Sequence, residues 1–412
     1  MVDVNTETTK SGLELSKRIP ELDGIRGLAI SLVIAFHFFG GADPHFGFWL
    51  RHILGALAIG WSGVDLFFVL SGFLIGGILL DARTKPHYFR AFYMRRVFRI
   101  LPVYYLWTLL YGVLLLAVLW RAPGRIPLSS HDLYQVPLHL LFLQNVWITR
   151  PFLASVWFVV TWSLAVEEQF YLLAPVLIRF VSLRKVIWIL VGTICTSPFL
   201  RFFIYRVAQN HFAAAFPMPC RADSLAWGVL LAIAWRDTRV REFIHGHAAL
   251  LQRVLFVLFL GVAVLLWWLV HPINVVTVTI GYTWLALFYS AFLLTVVSQT
   301  GGWLAAVMRW QVLRWLGGIS YCLYIIHLTL NYAAHGLILH GWPQVYSLRG
   351  LVVSILALLV SLAIAGFSSR YFEGPLIRRG HSYSYDELMS AAPSVPRGQG
   401  FSLPEVSPPW AD

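Results

Sequence analysis

Arg26 and His37 open the chemistry of this chain. They stand at the two ends of R-G-L-A-I-S-L-V-I-A-F-H, inside the first apolar run. Eleven helical steps turn through about 1,100°, so the two side chains share one face, separated by about 16 Å of rise. An ionisable side chain within a membrane is costly and by default marks a functional site. An uncharged imidazole in a dry site can serve as a general base. Asp23, three residues before Arg26, can pair with it at the inner boundary.

Four further blocks carry polar groups in apolar surroundings. G-V-D-L-F-F-V-L-S-G-F-L-I-G-G at residues 63–77 places Asp65 in an apolar run, with Gly72, Gly76 and Gly77 suited to close helix packing. R-R-V-F-R-I-L-P at residues 95–102 puts Arg96 and Arg99 on one face. That pair reads either as a positively charged flank or as a cradle for a phosphorylated ligand, which guanidinium groups bind bidentately. W-S-L-A-V-E-E-Q-F-Y at residues 162–171 holds Glu167 and Glu168 in mid-span. Adjacent helical residues point about 100° apart, so the two carboxylates must have different tasks. I-S-Y-C-L-Y-I-I-H at residues 319–327 spaces Ser320, Tyr324 and His327 as one helical stripe, read as interhelical glue or as substrate contacts. Arg370 and Glu373, closing the last span, read as a structural clamp at the inner face.

The elements that must hold these groups follow from composition. Hydrophobic residues make up 58% of the chain and charged residues 12%, about half the charge fraction of a soluble domain. Mean hydropathy is +0.71. The expected fold is all-α: a polytopic membrane bundle of about ten transmembrane helices. The spans are expected at 22–40, 56–80, 97–120, 157–179, 186–206, 221–235, 251–270, 275–298, 314–339 and 349–369. The first is read as a retained span, because a cleavable leader is redundant before so many others. The segment 134–148 is too short to cross and reads as interfacial or re-entrant.

Charge sets the orientation. Ten crossings with both termini cytoplasmic put the basic loops 81–96, 180–185, 236–250 and 299–313 inside, as the positive-inside rule requires. Counting 134–148 as a crossing would place most later clusters outside. The net charge of +12 is dispersed among these loops, which argues against nucleic acid as a partner and for the lipid bilayer. Residues 1–19 and 380–412 are expected to be disordered cytoplasmic segments flanking a membrane domain at 20–379. No soluble catalytic domain is expected, so any chemistry belongs to the membrane part. Cys195, Cys220 and Cys322 have no metal-binding spacing, and no metal is expected.

In this order and at these spacings, the blocks resemble the acyltransferase-3 family of bacterial integral-membrane O-acyltransferases, over roughly residues 20–376. The marks are L-D-G-I-R-G, the Arg26-to-His37 spacing, G-V-D-L-F-F-V-L-S-G-F-L-I, R-x-x-R, W-S-L-A-V-E-E-Q-F-Y and S-Y-C-L-Y-I-I-H. The resemblance implies a multi-pass inner-membrane enzyme that moves an acyl group, commonly acetyl, from cytosolic acyl-CoA to a hydroxyl. Acceptors across the family are sugars of exported glycans and, in some members, macrolides. It implies that Arg26 and His37 are essential, that the R-x-x-R pair is Arg96 and Arg99, and that the carboxylates are Glu167 and Glu168. Some members carry a C-terminal esterase-like domain, which is not expected here.

The expected mechanism holds the nucleotide end of acyl-CoA against Arg96 and Arg99, with its arm running beside the first span toward His37. His37 takes the proton of the acceptor hydroxyl, and a carboxylate, Glu167 or Asp65, fixes its tautomer. The rival reading is a transporter of a glycan or anion, with the buried groups as a proton relay. No repeated halves are apparent. Oligomeric state is not legible in the sequence.

Overall fold

The computed structural model describes residues 19–39, 57–121, 136–147, 157–268, 275–343, 345 and 347–386. Every regular element among them is helical. That is the outcome forced on long apolar runs in lipid, where each backbone N–H and C=O must find its partner within the segment. The long helices are α1 (Pro20–Phe39), α2 (Gly63–Asp81), α3 (Tyr88–Arg121), α4 (Trp162–Phe180), α5 (Leu183–Ala208), α6 (Met218–Arg236), α7 (Ala248–Trp268), α8 (Tyr282–Ser298), α9 (Gln311–Leu339) and α10 (Leu348–Ser368).

Seven helices among the described residues are long and apolar enough to cross a membrane, and an eighth arises if Thr238–Gly246 and Ala248–Val264, bent by 78°, form one span. Helices α4 and α6 fall outside that set. They carry Glu167 and Glu168, and Arg221 and Asp223, respectively, and they sit against the interior of the bundle. The outer surface is studded with large apolar side chains such as Leu109, Leu172, Phe199 and Leu359. On a soluble monomer such a surface would be an anomaly; toward lipid it is the expected face.

Two close helix pairs organise the interior. Helices α1 and α9 run parallel, with Asp23 near Gly317 at one end and His37 near His327 at the other. A Cβ on Gly27 would lie 1.8 Å from the Leu313 carbonyl oxygen, and one on Gly317 would lie 2.0 Å from that of Asp23. Only glycine permits this approach. Helices α2 and α6 pair in the same way: a Cβ on Gly72 would meet the Leu225 carbonyl oxygen at 2.1 Å. The packing role expected for Gly72 and Gly76 is the role they have.

Residues 136–147 form two short helical pieces with left-handed backbone at Phe142 (φ 53°). Gln144 donates to the Thr161 carbonyl (2.9 Å) and the Tyr104 hydroxyl (3.1 Å), and Gln169 donates to the Phe142 carbonyl (2.8 Å). The segment is a side-chain-anchored insertion against α3 and α4; residues 134, 135 and 148 lie outside the described set.

The first residues of the segment expected to be disordered, 380–386, have a defined conformation. Helix Gly374–His381 packs on α3, and the chain then turns back along it. Arg95 donates to the Tyr383 carbonyl (3.0 Å) and lies 4.6 Å over the Tyr385 ring, while Lys85 pairs with Asp386 at 2.5 Å. Burial raises the Tyr385 hydroxyl above its ordinary range, against the pull of Arg95 and Arg96. Aromatic stacking on arginine anchors this stretch despite its polar composition. The segments 1–18 and 387–412 lie outside the described residues.

Candidate active site

A cavity of about 290 Å³ lies among α1, α2, α3, α4 and α9. One end is basic. Arg26 of α1, Arg96 and Arg99 of α3, and His381 of the C-terminal helix line it. The i, i+3 spacing of Arg96 and Arg99 brings both to the cavity, as their shared face requires. Arg95, one position away, turns to the 380–386 segment instead. Arg26 is steadied by Asp23 at 3.1 Å. Arg96 lies 5.8 Å over both the Phe92 and Tyr171 rings, and its buried Nε has no hydrogen-bond partner. These cations therefore retain donor capacity toward the cavity.

The middle of the cavity combines one carboxylate with apolar walls. Glu167 accepts from Ser71 Oγ (3.0 Å) and from the Tyr171 hydroxyl (3.0 Å). All three residues line the cavity, with Leu74, Ile75, Ile100 and Leu164 around them. Glu168 points elsewhere, as the 100° step demands: it does not line the cavity, and its buried Oε1 has no hydrogen-bond partner. Ser320 also lines the cavity while bonding its own helix at the Gly317 carbonyl (2.9 Å).

Tyr324 marks the far end. Its hydroxyl bonds the Val160 carbonyl (2.9 Å) and Ser163 (2.6 Å). Its ring lies 5.9 Å from the His327 ring, which is one layer further along α9. There His327 Nε2 meets His37 Nδ1 at 3.0 Å. His37 and His327 do not themselves line the cavity; Tyr324 separates them from it. His327 is fully buried, whereas His37 is partly exposed.

Three sequence expectations change here. The neighbour of the His37 ring is His327, not a carboxylate. Glu167 is committed to Ser71 and Tyr171. Asp65 lies deeper in the α2–α6 interface, where its Oδ1 accepts from Arg221 Nη2 at 2.7 Å. A fully buried carboxylate is held by the cation that can reach it, and the parallel packing of α2 and α6 aligns Asp65 with Arg221 rather than with α1. Arg370 and Glu373, read as a structural clamp at the inner face, have separate partners. Glu373 accepts from Ser368 Oγ (3.0 Å), and Arg370 is exposed over Tyr371.

Sequence reasoning missed a second buried polar cluster. Arg201 pairs with Asp223 at 2.9 Å and donates to Thr283 and the Cys220 carbonyl, both at 2.5 Å. Arg221, paired with Asp65, lies 3.8 Å over the Tyr282 ring. The signal was present: arginine and aspartate in apolar runs are as costly at 201, 221 and 223 as at 26 and 65. Tyr171 and Ser71 were visible in their motifs but had no assigned partner, because hydrogen bonds across helices depend on register.

Seven or eight helices long and apolar enough to cross a membrane among the described residues, packed around a basic, partly apolar cavity, define a multi-pass membrane protein. The chain belongs to the family described as an acyltransferase domain, which it matches over residues 19–366. It is similar to the O-acetyltransferase OatA of Staphylococcus aureus (strain NCTC 8325 / PS 47), with 26% identity over 372 residues, covering 88% of this chain and 58% of that protein. It is similar also to the peptidoglycan O-acetyltransferase OatA of Listeria monocytogenes serovar 1/2a, with 24% identity over 392 residues, covering 88% of this chain and 56% of that protein. The chain thus spans less than three fifths of the length of these curated relatives. No solved structure matches it.

Proposed function

We propose that this protein is a membrane O-acyltransferase that moves an acetyl group from cytosolic acetyl-CoA to a hydroxyl of a cell-envelope carbohydrate. The observation that carries the reading is one cavity that begins among Arg26, Arg96 and Arg99 and ends at Tyr324, directly before the His37–His327 pair. Three guanidinium groups in one partly apolar enclosure suit a ligand with phosphates at one end and a long thin arm. The rise from Arg26 to His37, about 16 Å, suits a ligand gripped at one end and reacting at the other.

Acyl-CoA supplies a thioester carbonyl and a thiolate leaving group. Arg96 and Arg99 hold its phosphates, and Arg26, kept in place by Asp23, adds a third positive charge at the same end of the cavity. Leu74, Ile75 and Leu164 exclude water from the arm. Glu167, hydrogen-bonded by Ser71 and Tyr171, faces the guanidinium groups and balances their charge. His37 is the general base that takes the proton of the attacking hydroxyl.

In this reading all ten long helices span the bilayer, with both termini in the cytosol and the membrane domain at 20–379. Arg26, Arg96, Arg99 and His381 then lie at the cytosolic mouth, and His37 lies toward the outer half. The names of the relatives favour a glycan over a macrolide as acceptor.

The test is incubation of the purified protein in proteoliposomes with radiolabelled acetyl-CoA and candidate glycans. Label is expected on the glycan, and lost with His37→Ala in protein that remains inserted. Wild-type labelling by that variant, or movement of unmodified glycan across the vesicle without labelling, would overturn the assignment.

A further inference from the structure

The hydrogen bonds around the two histidines leave one distribution of protons. His327 Nδ1 lies 2.8 Å from the Tyr324 carbonyl oxygen and 3.1 Å from that of Leu323. A carbonyl oxygen can only accept, so Nδ1 carries the hydrogen, and in a neutral ring Nε2 is then an acceptor. His327 Nε2 faces His37 Nδ1 at 3.0 Å, so His37 Nδ1 donates. The reverse arrangement, with His327 donating, requires a cationic ring at a fully buried position. No carboxylate pairs with His327 among the described residues, so that charge would be uncompensated. The lone pair of the pair therefore sits on His37 Nε2.

The surroundings hold this arrangement in place. The Phe38 ring stacks beside His327, with centroids 6.4 Å apart and planes 25° from parallel. Asn331, one turn beyond His327, donates to the backbone carbonyl of His37 at 3.4 Å. Helix α9 thus grips both the ring and the main chain of His37.

We propose that His327 is a positioning residue for acyl transfer. It locks His37 in the Nδ1–H tautomer, leaves Nε2 as the base, and accepts a charge-assisted hydrogen bond when His37 becomes cationic. It fills the place that a carboxylate holds in a serine-type triad. The inference rests on His37 being the base. In the step it serves, the hydroxyl proton of the acceptor moves to His37 Nε2 while its oxygen forms the ester C–O bond. The thioester C–S bond breaks, its electron pair leaves on sulfur, and the proton passes from Nε2 to that sulfur. His37 returns to its starting tautomer, and His327 ends unchanged.

Two measurements test this. In the intact protein labelled with ¹⁵N-histidine, the resonances lost in His37→Ala identify the His37 nitrogens. The expected result is a protonated Nδ1 and a bare Nε2; a bare Nδ1 would overturn the proposal without any change at residue 327. In kinetics, His327→Leu is expected to lower kcat by about 10²- to 10⁴-fold with KM for acetyl-CoA unchanged, and His327→Gln, whose carbonyl can still accept from Nδ1–H, to recover at least about tenfold of that loss. Wild-type kcat in His327→Leu beside an inactive His37→Ala would refute the role of His327 and leave the base assignment standing. Wild-type kcat in His37→Ala would refute the base assignment itself.

Discussion

Asp65 and Arg221 meet inside the α2–α6 interface at 2.7 Å, with side-chain exposures of 0% and 2%. Neither reaches the cavity. Their neighbours Arg201 and Asp223 are paired just as deeply. The cluster ties α2, one wall of the cavity, to α5, α6 and α8 behind it, and its opposite charges are paired with one another.

Breaking that pair from one side strands the other charge. Asp65→Ala or Arg221→Ala is expected to destabilise the protein by about 3–5 kcal/mol. The combined Asp65→Leu and Arg221→Met replacement should recover most of the loss, because apolar groups of similar volume need no partner. Thermal unfolding in detergent, followed for the two single variants and the double variant, checks this.

The basic end of the cavity predicts a different signature. On the proposed function, Arg96→Ala and Arg99→Ala are each expected to lose a charge-assisted contact of about 1.5–3 kcal/mol, or roughly 10- to 100-fold in donor affinity. The effect should appear in KM for acetyl-CoA and in direct binding of coenzyme A, with binding of the glycan acceptor unchanged. Arg95→Ala, whose guanidinium is engaged by Tyr383 and Tyr385, should alter donor affinity far less.

Helix approach can be tested by adding one methyl group. Gly27→Ala and Gly72→Ala place a Cβ within about 2 Å of a facing backbone oxygen, so the helices must separate and the yield of folded protein should fall. Gly112 and Gly192 have nothing within 4 Å of the same position. Alanine there should raise stability by up to about 1 kcal/mol through helix propensity. Size-exclusion profiles and melting midpoints of the four variants separate the two classes.

Glu167 is held by two hydroxyl donors, so its replacement should act on the reaction more than on the fold. Glu167→Gln keeps the shape and is expected to lower kcat, with a melting midpoint close to wild type. Glu168→Gln, outside the cavity with an unpartnered Oε1, should leave kcat near wild type. A kcat loss for Glu168→Gln larger than for Glu167→Gln would contradict the division of labour between them.

Much of this architecture was legible in the residues themselves. Long apolar runs admit only helices in lipid, and helical periodicity is local, so the positions of α1 to α10 and the shared faces of Arg96 with Arg99, and of Ser320 with Tyr324, follow from spacing alone. Adjacency likewise determined that Glu167 and Glu168 would part company. Partners across helices were a matter for tertiary structure. Whether Asp65 meets a histidine or an arginine depends on how α2 slides against α6, and that register is set by which small residues let the backbones touch. The same holds for His37. Its depth in the first span could be read from the chain, but the ring that answers it belongs to a helix nearly three hundred residues away.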